Sequence, residues 1–167
     1  MTFQPTEADF VRANRDWYLR TLMRPRTLFG VVLIGGTLAG LESLQGWIGH
    51  GVPGVLAAGV LGAGLTSLVY LGIYLLMPRR AGRLYRQQAS LQRPLSFGWD
   101  ETGLSVRSAN GAGLVPWSEL HRWSDGREML LFYLNDQLFY FLPHRALTAV
   151  QIEDLRAMAA AHGIPKF

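Results

Sequence analysis

Two long apolar stretches dominate the first half of the chain, one from Leu28 to Gly49 and the other from Val52 to Met77. The few residues that join them carry no formal charge. Each stretch is long enough to cross a bilayer as a helix, because roughly 20 predominantly apolar residues span the hydrocarbon core. The pattern therefore predicts a transmembrane helical hairpin over residues 27–78.

Arginine residues flank these stretches, whereas the connection between them contributes only His50. The flanking residues are Arg12, Arg15, Arg20, Arg24 and Arg26 on one side and Arg79, Arg80, Arg83, Arg86 and Arg93 on the other. Cytoplasmic flanks of membrane helices carry such an excess, so we expect both termini in the cytoplasm. Arginines near a bilayer also attract anionic lipid headgroups, and we take Arg79, Arg80 and Arg83 as candidates for this contact. The net charge of +4 is thereby explained without nucleic acid as a partner.

Small residues recur at four-residue spacing in both stretches, which places them on one face of each helix. They are Gly36 and Gly40 in the first stretch and Gly54, Ala58 and Gly62 in the second. Such faces allow two helix backbones to approach closely. We expect them to pack within the hairpin, with self-association into a homo-oligomer as the alternative.

Glu42 is the one acidic residue inside either stretch. An ionisable group in hydrocarbon raises the hypothesis of a proton relay or an ion site. However, Glu42 lies within about two turns of Trp47 and can reach the outer membrane interface. Because neither stretch contains a second charged residue to form a relay, the sequence favours the interfacial interpretation.

The segments next to the hairpin are predicted to be helical. In residues 1–26, Thr6 and Asp9 mark a helix start, and apolar residues with interleaved arginines make the segment amphipathic. Its apolar face fits either the membrane interface or the surface of a folded domain, and both alternatives stay open. Residues 79–93 are good helix formers and should extend the second helix into the cytosol.

From residue 94 onward, apolar residues alternate with small or polar ones, which is the period of β-strands. Strands separated by turn signals are predicted over Leu95–Trp99, Leu104–Ser108, His121–Trp123, Met129–Leu134 and Leu138–Leu142. Thr148 and Gln151 form a capping box that begins a terminal helix, and Gly163 and Pro165 end it. Residues 94–167 thus predict an antiparallel β domain with a terminal helix, and the whole chain an α+β membrane protein.

The last two predicted strands are apolar on both alternating faces. One face can form the domain core, and the other needs cover from another element, a second protomer, the membrane or a partner protein. We take Trp117, Arg122, Trp123 and Arg145 as candidate contacts for a protein partner or for lipid headgroups. In the alternative interpretation, Trp117 is a core anchor.

Several motifs follow one another between Leu95 and His162. They are Gly103-Leu104, the VPWSEL run at 115–120, the apolar strand at 130–134, the FLPHRAL run at 141–147 and the terminal helix. In this order they resemble the C-terminal domain of YcxB-like bacterial membrane proteins. The resemblance implies two helices in the bacterial cytoplasmic (inner) membrane and a small cytosolic domain similar to a pleckstrin-homology fold. It implies no catalytic residue.

Residue patterns for catalysis are lacking in the sequence. The chain has no cysteine, and its four histidines lack the spacing of metal ligands. Asp100 and Glu101 precede Thr-Gly, which is typical of a solvated turn rather than of a catalytic carboxylate pair. We therefore expect neither an enzyme nor a cofactor or metal site.

Three functional hypotheses follow from these observations. The first is a membrane-tethered cytosolic binding module that meets a protein or a lipid headgroup at raised effective concentration. The second is an immunity protein that neutralises an antibacterial toxin at the inner membrane. The third is a small transporter or channel, which depends on Glu42 alone.

Overall fold

A computed structural model describes residues 1–45 and 51–167, apart from the side chain of Glu42. Trp47 and His50, near the outer end of the predicted hairpin, lie outside the described residues. Met1–Asp16 and Arg79–Phe167 together form one compact unit, here termed the β unit. Trp17–Pro78 form a second, termed the hairpin unit. The predicted segment 1–26 is therefore divided between the two units.

Three helices precede most of the strands: α1 (Glu7–Leu22), α2 (Pro25–Gln45) and α3 (Gly51–Gln87). Pro25 is the first residue of α2, a position where an N–H would have no partner within the helix. The most apolar windows of α2 and α3 have mean hydropathies of 1.6 and 1.9, and the helices contain 21 and 37 residues. Both helices are therefore long and apolar enough to cross a membrane.

α2 and α3 pack on each other through small residues. A Cβ built on Gly35 would lie 3.1 Å from the carbonyl oxygen of Gly59, and one on Gly62 would lie 2.6 Å from Cδ1 of Leu38. A Cβ on Gly59 would lie 3.5 Å from Cβ of Ala39. The helix backbones approach so closely here that larger side chains have no room.

The predicted helix-packing residues differ in burial between α3 and α2. The predicted residues of α3 are buried, namely Gly54, Ala58 and Gly62. Gly36 and Gly40 are instead exposed, and nothing lies within 4 Å of a Cβ built on either. The contact uses Gly35 and Ala39, one position earlier. Four-residue spacing alone does not distinguish these two registers, because Gly35 and Gly36 are adjacent.

Within the described residues, the strands form two antiparallel sheets, and the α+β prediction is confirmed. The first sheet contains, in spatial order, β1 (Thr2–Phe3), β2 (Leu95–Trp99), β3 (Gly103–Ser108) and β4 (Gly111–Pro116). The second contains β5 (Arg122–Asp125), β6 (Met129–Tyr133) and β7 (Phe139–Pro143). A terminal helix, α4 (Ala149–Ala161), follows them.

The first strand of the first sheet comes from the start of the sequence. β1 pairs antiparallel with β2, so that Thr2 lies opposite Ser96 and Phe3 opposite Leu95. α1, α2 and α3 all lie between these two strands along the chain. The helices are therefore inserted between two neighbouring strands of one sheet.

The core of the β unit is centred on β6, which is buried at all of its positions. Trp117 packs on Phe132 of β6 with ring centroids 6.1 Å apart. Phe3 and Phe10 of the N-terminal segment pack on Phe141 of β7, at 6.5 and 6.2 Å. The chain itself therefore covers β6, so that cover by another element of the chain, one of the predicted alternatives, applies to this strand. For Phe10, packing on the folded domain is the alternative that the structure adopts.

The local signals at the ends of α4 act as predicted. The Thr148 hydroxyl accepts a hydrogen bond from the N–H of Gln151 at 3.2 Å, and the Gln151 side chain accepts one from the N–H of Thr148 at 3.0 Å. Gly163 has φ of 65°, the left-handed conformation that commonly follows a helix. Residues 164–167 then return along the second sheet.

Candidate functional site

The last turns of α3 carry three arginines on one side of the helix. Arg79, Arg80 and Arg83 lie within about 100° of one another, because each residue of a helix advances by about 100°. All three side chains are exposed, and among the described residues none has a hydrogen-bond or ion-pair partner. These are the arginines that the sequence assigned to lipid headgroups.

The opposite side of these turns packs on the N-terminal segment. The Tyr85 hydroxyl donates to the carbonyl oxygen of Pro5 at 2.9 Å, and its ring lies 6.3 Å from that of Phe10. Arg86, which lies within about 20° of Arg79 around the helix and so borders the arginine face, forms an ion pair with Glu7 at 2.6 Å. The Tyr85 contacts fix the rotation of the helix about its axis, so that Arg80 and Arg83 point away from the N-terminal segment.

Arg145 is held by a buried carboxylate. Its Nε donates to Oδ1 of Asp9 at 3.1 Å, and its Nη2 donates to Oδ2 of the same residue. Nη2 also donates to the carbonyl oxygen of Gln4 at 3.2 Å. Asp9 is only 2 % exposed, and a buried charge of this kind needs a partner. Arg145 thus fastens the N-terminal segment, and its predicted contact with a partner or with lipid stays a prediction.

The pKa of Asp9 lies below the ordinary carboxyl value of 3.8. Burial by itself raises this pKa, because desolvation disfavours the charged form. Hydrogen bonds from Arg145 and from the hydroxyl and N–H of Thr6 outweigh that effect. Pairing with Asp9 in turn raises the pKa of the Arg145 guanidinium. At neutral pH both groups are therefore charged, as a structural ion pair requires.

Trp117 lies in the core at the start of a short 3₁₀ turn and is 2 % exposed. Its Nε1 donates to the carbonyl oxygen of Asp100 at 2.8 Å. Its ring stacks on the imidazole ring of His162, the residue that follows α4, with ring centroids 5.5 Å apart. The core-anchor interpretation therefore holds. The predicted contact of Trp117 with a partner is wrong, because protein atoms surround its ring.

The outer edge of β5 is covered by residues 165–167, here termed the 165–167 segment. The N–H of Trp123 donates to the carbonyl oxygen of Pro165 at 3.0 Å. The N–H of Phe167 donates to the carbonyl oxygen of Trp123 at 2.8 Å. Trp123 and Lys166 are paired in parallel. The segment therefore adds a short parallel strand to the second sheet.

Side chains of the second sheet hold the same segment. The guanidinium carbon of Arg122 lies 5.1 Å from the centre of the Phe167 ring, and the Tyr133 ring lies 5.7 Å from it. Nζ of Lys166 lies 5.0 Å from the centre of a Trp123 ring, a cation–π distance. Arg122 and Trp123, both predicted as partner contacts, are thus brought together at the edge of β5.

Asp100, which was considered as part of a catalytic carboxylate pair, instead stabilises a turn. Asp100 accepts hydrogen bonds from the N–H groups of Thr102 and Gly103 at 2.8 and 3.3 Å, which closes the connection between β2 and β3. Its pKa is lowered, chiefly by the Thr102 hydroxyl. Among the residues that the structure describes, no group of three His, Asp or Glu side chains could hold a metal ion. The side chain of Glu42 lies outside that part.

The tertiary contacts of two residues, Asp9 and Pro165, were not predicted from the sequence. Asp9 was interpreted only as part of a helix start, and Pro165 only as part of a helix stop. Their tertiary partners, Arg145 and Trp123, are distant in the sequence. No local pattern records such pairs.

A scan of the chain against protein-family models matches residues 99–159 to the family described as YcxB-like protein. The match begins at the end of β2, includes Trp117 and Trp123, and reaches into α4. The predicted resemblance is confirmed over this region. Comparisons with curated proteins and with solved structures found no match.

Proposed function

Residues 99–159 form a YcxB-like domain, and we propose that it is a binding module anchored by the hairpin at the cytoplasmic face of a bacterial inner membrane. The module is non-catalytic and recognises its partners at the bilayer surface. Anionic lipid headgroups are the partners that we assign to the arginine face of α3.

We further propose that the module has a pleckstrin-homology-like fold. Its four-stranded and three-stranded antiparallel sheets and the terminal α4 support this architecture. Aromatic side chains join the two sheets, since the rings of Phe97 and Tyr140 lie 6.0 Å apart. α4 is tied to the second sheet by an ion pair between Arg156 and Asp125 at 2.7 Å.

The exposed apolar surface of α2 and α3 supports insertion into a membrane. Only 6 % of the most apolar window of each helix is buried, whereas the core helix of a water-soluble protein is mostly buried. Phe29, Val60 and Leu65 are each more than 60 % exposed. Contact of such surface with water is unfavourable by about 25 cal/mol per Å², and lipid tails would remove that cost.

The arginine face of α3 is the observation that carries the proposal. Arg79 follows Met77 and Pro78 directly, so the charges begin where the apolar stretch ends. Basic residues at this level attract the anionic lipids of the cytoplasmic leaflet, at about 1 kcal/mol each. The same position favours a cytoplasmic location for both termini.

Lipid retention by the full chain tests the proposed contact. The chain would be reconstituted in nanodiscs of phosphatidylcholine and phosphatidylglycerol, and the retained lipids would be counted by native mass spectrometry. We expect the wild type to retain phosphatidylglycerol preferentially. The triple variant R79Q/R80Q/R83Q should weaken that preference by about tenfold or more, because three headgroup contacts are lost.

The matched control is R93Q/R107Q/R127Q, which removes the same charge from exposed arginines elsewhere in the β unit. It should keep the preference for phosphatidylglycerol. An equal loss in both triple variants would show that net charge, and not the α3 face, attracts the lipid. The anchor itself would be rejected if alkaline carbonate released the chain from bacterial membranes.

A further inference from the structure

The 165–167 segment is seated on β5 in a way that a separate peptide can reproduce. The chain is firmly packed as far as Ile164, which is 7 % exposed and whose N–H donates to the carbonyl oxygen of Ala159. Beyond it, Pro165 and Lys166 are exposed and Phe167 is half-buried. Its pairing with the sheet uses backbone groups of Trp123, which any extended chain can satisfy.

Side chains at this edge provide the selectivity that backbone pairing lacks. Arg122 and Tyr133 hold an aromatic ring at the position of Phe167. The indole of Trp123 accepts a cation over its face, where Lys166 lies. Together they favour an extended peptide in which a basic residue is followed directly by an aromatic one.

We propose that the edge of β5 is a binding site for an extended segment of a partner protein with a basic–aromatic pair, and that the 165–167 segment occupies this site in cis. The partner displaces the segment and adds a parallel strand to the second sheet. The inference rests on the proposed function only in that it names a partner for the binding module.

β4 also forms an edge of its sheet, but it offers less to a partner. Its exposed residues Gly111–Leu114 provide mainly small side chains, and no chain segment among the described residues pairs with its outer edge. The edge of β5 combines an aromatic site, a cation site and a seated strand. The seated strand itself shows the chemistry that the site accepts.

Occupation in cis makes a clear prediction about affinity. A segment tethered next to its site has a high effective concentration and competes with any peptide in solution. Removal of the segment should therefore expose the site. The full chain should bind the same peptide weakly.

A peptide with the sequence of residues 161–167, AHGIPKF, labelled with fluorescein, is the probe. Its binding to the full chain in nanodiscs would be measured by fluorescence anisotropy and compared with a variant that lacks residues 165–167. We expect the Kd of the peptide to be lower for the shortened variant than for the full chain, by about tenfold or more. Replacing the phenylalanine of the peptide by alanine should weaken binding by a similar factor.

Phe167→Ala in the full chain is a second variant that keeps the backbone and removes the aromatic contact. It should bind the peptide with an affinity between those of the full chain and the shortened variant. If the shortened variant does not fold, this variant tests whether the 165–167 segment occupies the site. Val150→Ala, an exposed position on α4, should bind as the wild type does.

The proposal is overturned if folded Phe167→Ala and shortened chains bind the peptide no better than wild type. It is overturned also if the peptide with alanine binds equally well. Neither outcome alters the retention of phosphatidylglycerol by the α3 arginines, so failure of this site and failure of the lipid contact are separate results.

Discussion

Nε of Arg145 donates a hydrogen bond to Oδ1 of Asp9 at 3.1 Å, and the two residues are 136 positions apart. Asp9 lies in the first turn of α1, the first of the inserted helices, and Arg145 follows the last strand. The pair therefore joins the two pieces of chain from which the β unit is built. Its strength should determine how firmly the N-terminal segment is held.

Arg145→Ala should destabilise the β unit by about 2–4 kcal/mol, because it leaves the carboxylate of Asp9 buried without its cation. This estimate is set below the roughly 3–5 kcal/mol usual for breaking a buried ion pair, since the Arg145 side chain is 48 % exposed and water replaces part of the contact. The unfolding midpoint in denaturant measures the loss. Arg127→Ala, at an exposed position, is the control and should change the midpoint little.

Addition of Asp9→Asn to Arg145→Ala should recover part of that loss, because no uncompensated charge then remains buried. A double variant that is as unstable as the sum of the two single variants would contradict a direct interaction. The comparison needs only the same denaturant titration on all four chains.

Acid should weaken the fold through Asp9. Its pKa is lower in the folded chain than the ordinary value of 3.8, so the unfolded chain takes up the proton more readily. The stabilising contribution of the ion pair is therefore complete above about pH 5 and is lost as the pH falls through the folded pKa. Denaturant midpoints measured from neutral to acid pH should fall more steeply for wild type than for Asp9→Asn. Identical slopes would count against this assignment.

Gly62→Ile should destabilise the helical hairpin by about 1–3 kcal/mol, since a side chain there overpacks the contact between α2 and α3. Its Cβ would lie 2.6 Å from Cδ1 of Leu38 and 3.2 Å from Cα of Gly35. Gly64→Ile is the matched control on the same helix, because nothing lies within 4 Å of a Cβ there. Thermal unfolding in detergent micelles compares the two. Equal losses would mean that the contact face is misassigned.

Trp117→Phe should lower the free energy of unfolding by about 1–2 kcal/mol, because the carbonyl oxygen of Asp100 loses its hydrogen-bond donor. Denaturant unfolding measures this loss. Retention of phosphatidylglycerol should not change, because Trp117 is buried in the core. A variant with normal stability and impaired lipid retention would restore Trp117 as a surface contact.

Local signals predicted the local structure well. Alternation of apolar and small residues predicted the strands at Leu95–Trp99 and Leu104–Ser108, and the observed register pairs Trp99 with Leu104. The Thr148 and Gln151 pair predicted the start of α4. These features form between residues that are close in the sequence, so a local sequence pattern is sufficient to predict them.

Contacts between distant residues could not be predicted in this way. The choice between Gly35 and Gly36 as the packing residue depends on which face of α2 meets α3, and both satisfy the same spacing. The burial of Trp117 depends on His162 and Phe132, which other elements bring to it. The arginine face of α3 was recognised from composition, but its direction depends on how Tyr85 packs.

By itself, the sequence determined two helices long and apolar enough to cross a membrane, an α+β fold and the resemblance to YcxB-like proteins. Hydrophobic length and strand period are properties of contiguous residues, and they can therefore be predicted from the sequence alone. Only the tertiary structure decided that β1 joins β2 across three inserted helices, that Asp9 holds Arg145, and that the 165–167 segment covers β5. Each of these depends on hydrogen bonds and burial between residues that only folding brings together.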